Sequence, residues 1–157
     1  MNIHLIVLGK LKEPFWREAE AEYLKRLTPL AKLHIHELKE ESFDEKDLPE
    51  LIKAKEAEKI TQEIAKIKNG YVVALDERGA EFSSLSLANH LSALQLLGAP
   101  LVFVMGGPLG LHPSITKLAR GTIALSKLTF THQMARVIFL EQLYRAQMIL
   151  GNRKYHY

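Results

Sequence analysis

The sequence contains no cysteine among its 157 residues. That absence excludes a disulfide framework and any thiolate metal site, and it fits a reducing compartment. Long hydrophobic runs are absent too. The first apolar run, Ile3 to Leu8, falls far short of the roughly 20 residues that a membrane-spanning helix needs. No basic segment precedes it, as a secretory signal would require. The chain therefore reads as soluble and cytoplasmic, with no membrane association. Neither sign of charge dominates. Lys and Arg number 21 against 18 Asp and Glu, a formal net charge of +3. This permits a phosphate-rich partner without demanding one. There is no internal repeat and no low-complexity linker.

What is present is an ordinary globular composition, 47% hydrophobic and 25% charged, which argues against disorder. The length suits a single domain over residues 1–157. A domain of this size buries roughly 70% of its unfolded surface.

Strand and helix patterns alternate along the chain. Ile3 to Leu8 is a buried strand that ends at Gly9. Pro14 opens a helix to about Arg26, with Trp16, Ala19, Tyr23 and Leu27 along one face. Leu33 to Leu38 alternates as a strand, placed at a sheet edge. The charged stretch Lys39 to Asp47 is expected to be a mobile loop. Pro49 then opens a long helix with Ala57, Ile60, Ile64 and Ile67 on one face, stopped by Asn69-Gly70.

Tyr71 to Leu75 is an apolar strand, and Gly79 marks the turn after it. Ser83 or Ser84 caps a helix reaching Leu97. Leu101 to Met105 is the most apolar strand. A short helix starts near Pro113, Thr122 to Leu125 is the last strand, and a long helix runs from about His132 to Leu150. Continuous apolar strands alternating with helices predict an α/β fold, a mostly parallel sheet with helices on both faces. Ligands of such sheets lie beyond the carboxyl ends of the strands. Three loops qualify, following Leu75, Met105 and Leu125.

The second of these loops is Gly106-Gly107-Pro108-Leu109-Gly110-Leu111. Its glycines permit positive φ and close approach of backbone to a ligand. It matches neither a dinucleotide fingerprint nor a phosphate loop. A tight turn without ligand explains it equally well. The third is Ser126-Lys127-Leu128-Thr129-Phe130-Thr131, leading to His132-Gln133. Thr131 is placed to cap the last helix, whose free amino-terminal N–H groups could face an anion. His132 can exchange a proton near neutral pH, although from the sequence alone capping or packing is the better-supported role.

Glu141 and Arg145 stand four apart and pair on one helical face. An exposed pair of this kind contributes under about 1 kcal/mol. The surrounding Ile138, Leu140, Leu143 and Met148 instead suggest an interface or pocket. The tail from Gly151 to Tyr157 is basic and aromatic, suited to phosphates and exposed bases, though a frayed terminus is the default for such a segment. His4, His34, His36 and His90 have no cysteine or carboxylate company in the sequence, and no metal site is assigned. No serine lies in a nucleophile elbow.

Several of these segments occur together in one family. They are Val7 to Lys12, Leu75-Asp76 with Gly79, Gly106 to Leu111, Ser126 to Gln133, Glu141 to Ala146, and Tyr155-His156. In this order and over the whole chain, the sequence resembles the pseudouridine N3-methyltransferases of the large ribosomal subunit, within the knotted SPOUT class. The resemblance implies a SPOUT-type fold with a trefoil knot near the carboxyl end, and a homodimer with the cofactor site at its interface. It also implies S-adenosylmethionine bound by Leu75, by Gly106, Gly107 and Gly110, and by Leu125, Ser126, Lys127, Leu128, Thr129 and Phe130. The implied substrate is a pseudouridine in helix 69 of 23S rRNA, within the assembled 70S ribosome.

On that reading His132 or His156 takes the N3 proton, Arg145 stabilises charge on the base, and Tyr155 stacks on it. The family usually has proline where this chain has Thr131, which removes a rigidifying residue and offers a cap instead. A ribosome-binding factor without activity, a knotted methyltransferase acting on tRNA, and a generic nucleotide-binding domain are the competing readings. The intact glycine loop, the Tyr155-His156 tail and the missing phosphate-loop signature weigh against them in turn.

Overall fold

The computed structural model describes residues 1–155. Ten elements alternate along the chain. They are β1 (Asn2–Leu8), α1 (Pro14–Leu27), β2 (Lys32–Leu38), α2 (Pro49–Ala65), β3 (Tyr71–Glu81), α3 (Ser84–Gln95), β4 (Leu101–Met105), α4 (Pro113–Leu118), β5 (Gly121–Ala124) and α5 (His132–Leu150). The five strands form one sheet in the order β2-β1-β4-β3-β5. All of its pairings are parallel. β2 is an edge strand, as its alternation predicts.

Each central strand is apolar on both sides because each side meets helices. Ile3, Leu5 and Val7 of β1 join Leu101, Phe103 and Met105 of β4 in one core, packed against α3 and α5. Phe103 and Phe139 meet there with ring centroids 4.8 Å apart. Ile6 and Leu8 face the other way with Val102 and Val104, against Ala57 and Ile60 of α2 and Ile115 of α4. The pleat alternation of the strands thus divides the chain into two cores, one on each face of the sheet.

The helix starts follow local chemistry. Pro14, Pro49 and Pro113 stand in the first turns of α1, α2 and α4, where a missing N–H costs nothing. Ser83 caps α3 by accepting from the Ser86 amide at 3.1 Å. No described helix is long and apolar enough to cross a membrane.

Three boundaries differ from the sequence expectation. α2 ends at Ala65. A turn follows, in which Asn69 takes a φ of 55°. α3 ends at Gln95, and Leu96 and Leu97 lie outside it and exposed. β3 does not stop at Leu75 but continues to Glu81, with a register shift against β5 between Leu75 and Ala80. Gly79 therefore serves close approach rather than a turn. A Cβ on it would lie 2.6 Å from the backbone carbon of Ile123. The charged segment after β2 has no regular structure, yet its first residues are tied down. Lys59 of α2 donates to the Lys39 carbonyl at 2.8 Å and pairs with Glu41.

Candidate functional site

The middle of β3, at Leu75 to Arg78, and the carboxyl ends of β4 and β5 open into a cavity of about 810 Å³. That volume falls within the usual range for a small-molecule site. Met105, Ile123 and Leu125 give it apolar walls, and the glycine loop closes one side. Two of the three loops selected from strand order, those after Met105 and Leu125, meet here; the third position, after Leu75, is an irregular stretch inside β3.

The glycine loop is folded back on itself. Gly107 and Gly110 form an isolated antiparallel bridge, and the Gly110 amide donates to the Gly107 carbonyl at 3.0 Å. Gly110 has φ +78°, and a Cβ on Gly106 would stand 2.7 Å from the Gly110 carbonyl carbon. Only glycine fits either position without backbone movement. A narrow backbone cradle beside apolar walls can hold a nucleoside with its charged tail through amides and carbonyls, so the residues present fit S-adenosylmethionine.

The third segment is braced at both ends. Ser126 Oγ accepts from the Leu128 amide at 2.9 Å. Thr129 Oγ1 donates to Glu77 Oε2 at 3.0 Å, joining this segment to the continuation of β3. Thr131 Oγ1 accepts from the Met134 amide at 3.3 Å, so threonine caps α5 as the sequence suggests. Of the residues assigned to the cofactor, Leu75, Gly106, Gly107, Gly110, Leu125, Ser126, Leu128, Thr129 and Phe130 line the cavity. Lys127 does not. Its side chain is exposed and lies 3.6 Å from Glu81.

His132 stands at the first residue of α5 and lines the same cavity. Burial above all holds its pKa below the ordinary imidazole range. Lys12 and Arg136 add to that lowering, and Glu40 opposes it. A neutral imidazole at the cavity wall can accept a proton.

Arg145 and Tyr155 lie elsewhere. Arg145 is 13 residues beyond His132 on one straight helix, about 20 Å along its axis. Glu141 grips its guanidinium, with Nε to Oε1 at 3.0 Å, and this pairing raises the Arg145 pKa. The guanidinium carbon lies 5.0 Å from the centroid of the Tyr155 ring, which meets Tyr144 edge-on at 4.7 Å. Within one chain, then, His132 belongs to the cavity and Arg145 with Tyr155 forms a separate cationic and aromatic cluster. His156 lies outside the described residues.

Several features of the site escape sequence reading. Asp76 follows Leu75 into the cavity wall, with its side chain largely buried and held by Arg78 Nε at 3.0 Å. The Arg78 hydrogen bond keeps the Asp76 carboxyl below its usual range. Gln133 Oε1 accepts from the Lys12 amide at 2.8 Å, fastening the amino-terminal motif to the start of α5. Arg136 and Glu56 are the buried charged residues among those described. Glu56 left a trace in the sequence, because it interrupts the apolar spacing of Ile52 and Ile60 on the inner face of α2. Among the described residues no trio of His, Asp and Glu side chains is arranged to hold a metal ion.

Comparison with known proteins agrees with this architecture. The family model described as "Predicted SPOUT methyltransferase" matches residues 1–156. The chain is 43% identical over 157 residues to the ribosomal RNA large subunit methyltransferase H of Pseudothermotoga lettingae, covering 100% of each sequence. It is 44% identical over 160 residues to the protein of the same name from Clostridium acetobutylicum, covering 99% of each. A solved structure described as a probable methylase family protein from Haemophilus influenzae superposes with a TM-score of 0.58 at 14% identity. The superposition covers 99% of this chain and 70% of that one, and at that identity it speaks for the fold alone. With a family match from end to end and full-length relatives above two-fifths identity, the chain belongs to the SPOUT methyltransferase family.

Proposed function

We propose that this single-domain protein is an S-adenosylmethionine-dependent methyltransferase of 23S rRNA, acting on N3 of a pseudouridine in helix 69 of the assembled 70S ribosome. The observation that carries this reading is the meeting of the loops after Met105 and Leu125 with the irregular stretch of β3 after Leu75, around one glycine-lined cavity in a SPOUT chain. The relatives' printed name, ribosomal RNA large subunit methyltransferase, supports the class of substrate.

S-adenosylmethionine supplies an electrophilic methyl group. The residues that would hold it are Leu75, the loop from Gly106 to Gly110, and Leu125 to Phe130, Lys127 excepted. The chain's contribution is chiefly position. Holding two reactants in line can lower a barrier by roughly 7–11 kcal/mol in favourable cases. Methylation of N3 releases a proton, and the neutral His132 at the cavity wall is the acceptor proposed for it. Arg145 would stabilise negative charge on the base, and Tyr155 would stack on it.

The separation along α5 supports a homodimer. One subunit presents His132 at the cavity, and the Arg145 and Tyr155 cluster needed beside it would come from a second copy. The family likeness implies a trefoil knot near the carboxyl end of the chain.

The test is transfer of labelled methyl from S-adenosylmethionine to assembled ribosomes, free large subunits and bulk tRNA. Label confined to large-subunit RNA of assembled ribosomes is the expected outcome. Label in tRNA would overturn the substrate, and absence of both label and cofactor binding would overturn the activity.

A further inference from the structure

Glu56 is 4% exposed, and nothing in the methyl transfer uses it. A buried carboxyl destabilises a fold unless its surroundings compensate. Arg136, the other buried charge among the described residues, has Glu20 and Glu37 around it. Glu56 has a hydrogen bond from a backbone amide instead, that of Glu41 to Oε1 at 3.0 Å. Burial raises its pKa, with the Glu41 amide and then Lys59 only partly opposing the rise. An apolar residue, like Ile52 and Ile60 one turn to either side, would avoid this penalty.

The position of the carboxyl gives it a use. Both of its oxygens lie 3.8 Å from the point where a Gly107 Cβ would stand, and the Leu8 Cβ lies 3.6 Å from the same point. Glu56 and Leu8 therefore form the floor beneath the turn at Gly107. The amide that Glu56 accepts from belongs to the segment leaving β2. That segment also carries Glu40, which pairs with Lys12 at 3.4 Å. One side chain thus connects α2, the exit of β2 and the glycine loop.

We propose that Glu56 is a positioning residue for the cofactor loop: it supports the turn at Gly107 from behind and fixes its own carboxyl on the Glu41 amide, touching neither cofactor nor RNA. This rests on the reading that the loop from Gly106 to Gly110 holds S-adenosylmethionine.

The experiment compares Glu56→Gln, Glu56→Ala and Glu56→Leu with the wild-type chain. Calorimetry gives Kd for S-adenosylmethionine, and methyl transfer gives KM and kcat. Loss of positioning is expected to raise Kd and KM in the Ala and Leu variants on the order of 10- to 100-fold, with kcat at saturating cofactor close to wild type. Gln keeps the shape and the acceptor and is expected to restore wild-type affinity. If Ala does not fold, the contrast between Leu and Gln decides the matter.

Lys59→Met serves as the control. It frees the Lys39 carbonyl and Glu41 but leaves the contact with Gly107, so cofactor affinity is expected to stay at the wild-type level. Wild-type Kd in both the Ala and Leu variants would overturn the proposal. So would a loss in Lys59→Met equal to that in Glu56→Ala. A wild-type chain that itself binds no S-adenosylmethionine would overturn the reading of the loop first, and is told apart because the defect would precede any substitution.

Discussion

Arg136 donates through Nη2 to Glu37 Oε1 at 2.8 Å, and the same guanidinium holds both carboxylate oxygens of Glu20. One buried cation thus joins the first turns of α5 to α1 and to the edge strand β2. Removing it strands two carboxylates. Arg136→Ala is expected to lower unfolding stability by about 3–5 kcal/mol, read from urea denaturation. A loss under about 1 kcal/mol would mean that the carboxylates reach water without it.

The glycine loop distinguishes neighbouring residues. A Cβ at Gly106 would press on the Gly110 backbone at 2.7 Å, whereas one at Gly107 would meet Leu8 at an ordinary 3.6 Å. Gly106→Ala is expected to reduce S-adenosylmethionine affinity by at least about tenfold, and Gly107→Ala by far less. Calorimetry on the two variants checks this, and equal affinities would contradict the tight turn.

The proposed dimer predicts complementation. His132→Ala and Arg145→Ala are each expected to be inactive as homodimers. Mixed by co-refolding or co-expression, half the dimers are hybrids with one intact site of two, so about a quarter of wild-type activity should return. No recovery would mean that both residues act within one subunit.

The proposed role of His132 as base predicts an acid limit on the rate. As a base it works only when neutral, and burial with Lys12 and Arg136 lowers its pKa. Activity is therefore expected to persist somewhat below the ordinary imidazole value of about 6.5 and to fall as pH drops further. Lys12→Met removes one lowering charge and should move the acid limb of the kcat profile upward. Glu40→Gln removes the opposing charge and should move it downward. Identical profiles in all three proteins would exclude His132 as the titrating base.

A second histidine group predicts a pH dependence of stability. His4 Nδ1 lies 2.9 Å from His36 Nε2, and His36 Nδ1 lies 2.9 Å from Glu63 Oε1. Burial, His34, His36 and Lys32 lower the His4 pKa. The unfolded chain then binds a proton that the folded chain resists, so stability rises with pH. This contribution is present above about 6.5 and is lost as pH falls below it. His4→Phe should flatten the fall in Tm between pH 7.5 and 5 (approximate test values either side of the imidazole range). An unchanged fall would locate the titration elsewhere.

The fold was legible because its signals are local. Ile3 to Leu8 and Leu101 to Met105 announce strands covered on both faces, and prolines mark three helix starts. The strand-end argument found the cavity without reference to any relative. The polar run Asp76-Glu77-Arg78 concealed the continuation of β3, since it lies in an irregularity of the ladder and pairing with β5 resumes only at Ala80. Arg136 and Glu20 are 116 positions apart, and no sequence period connects them. The distance between His132 and Arg145 follows from helix geometry alone, yet two residues of one motif-bearing helix invite assignment to one site.

α5 acts as a ruler. Its 19 residues run without a break from the cavity to the cationic cluster, and each added residue would advance the far end by about 1.5 Å and turn it by about 100°. A single insertion there would swing Arg145 to another side of the helix while leaving the cofactor loops untouched. Length change in α5 should therefore be far more damaging than in the segment between β2 and α2, and drift in family members should accumulate there instead.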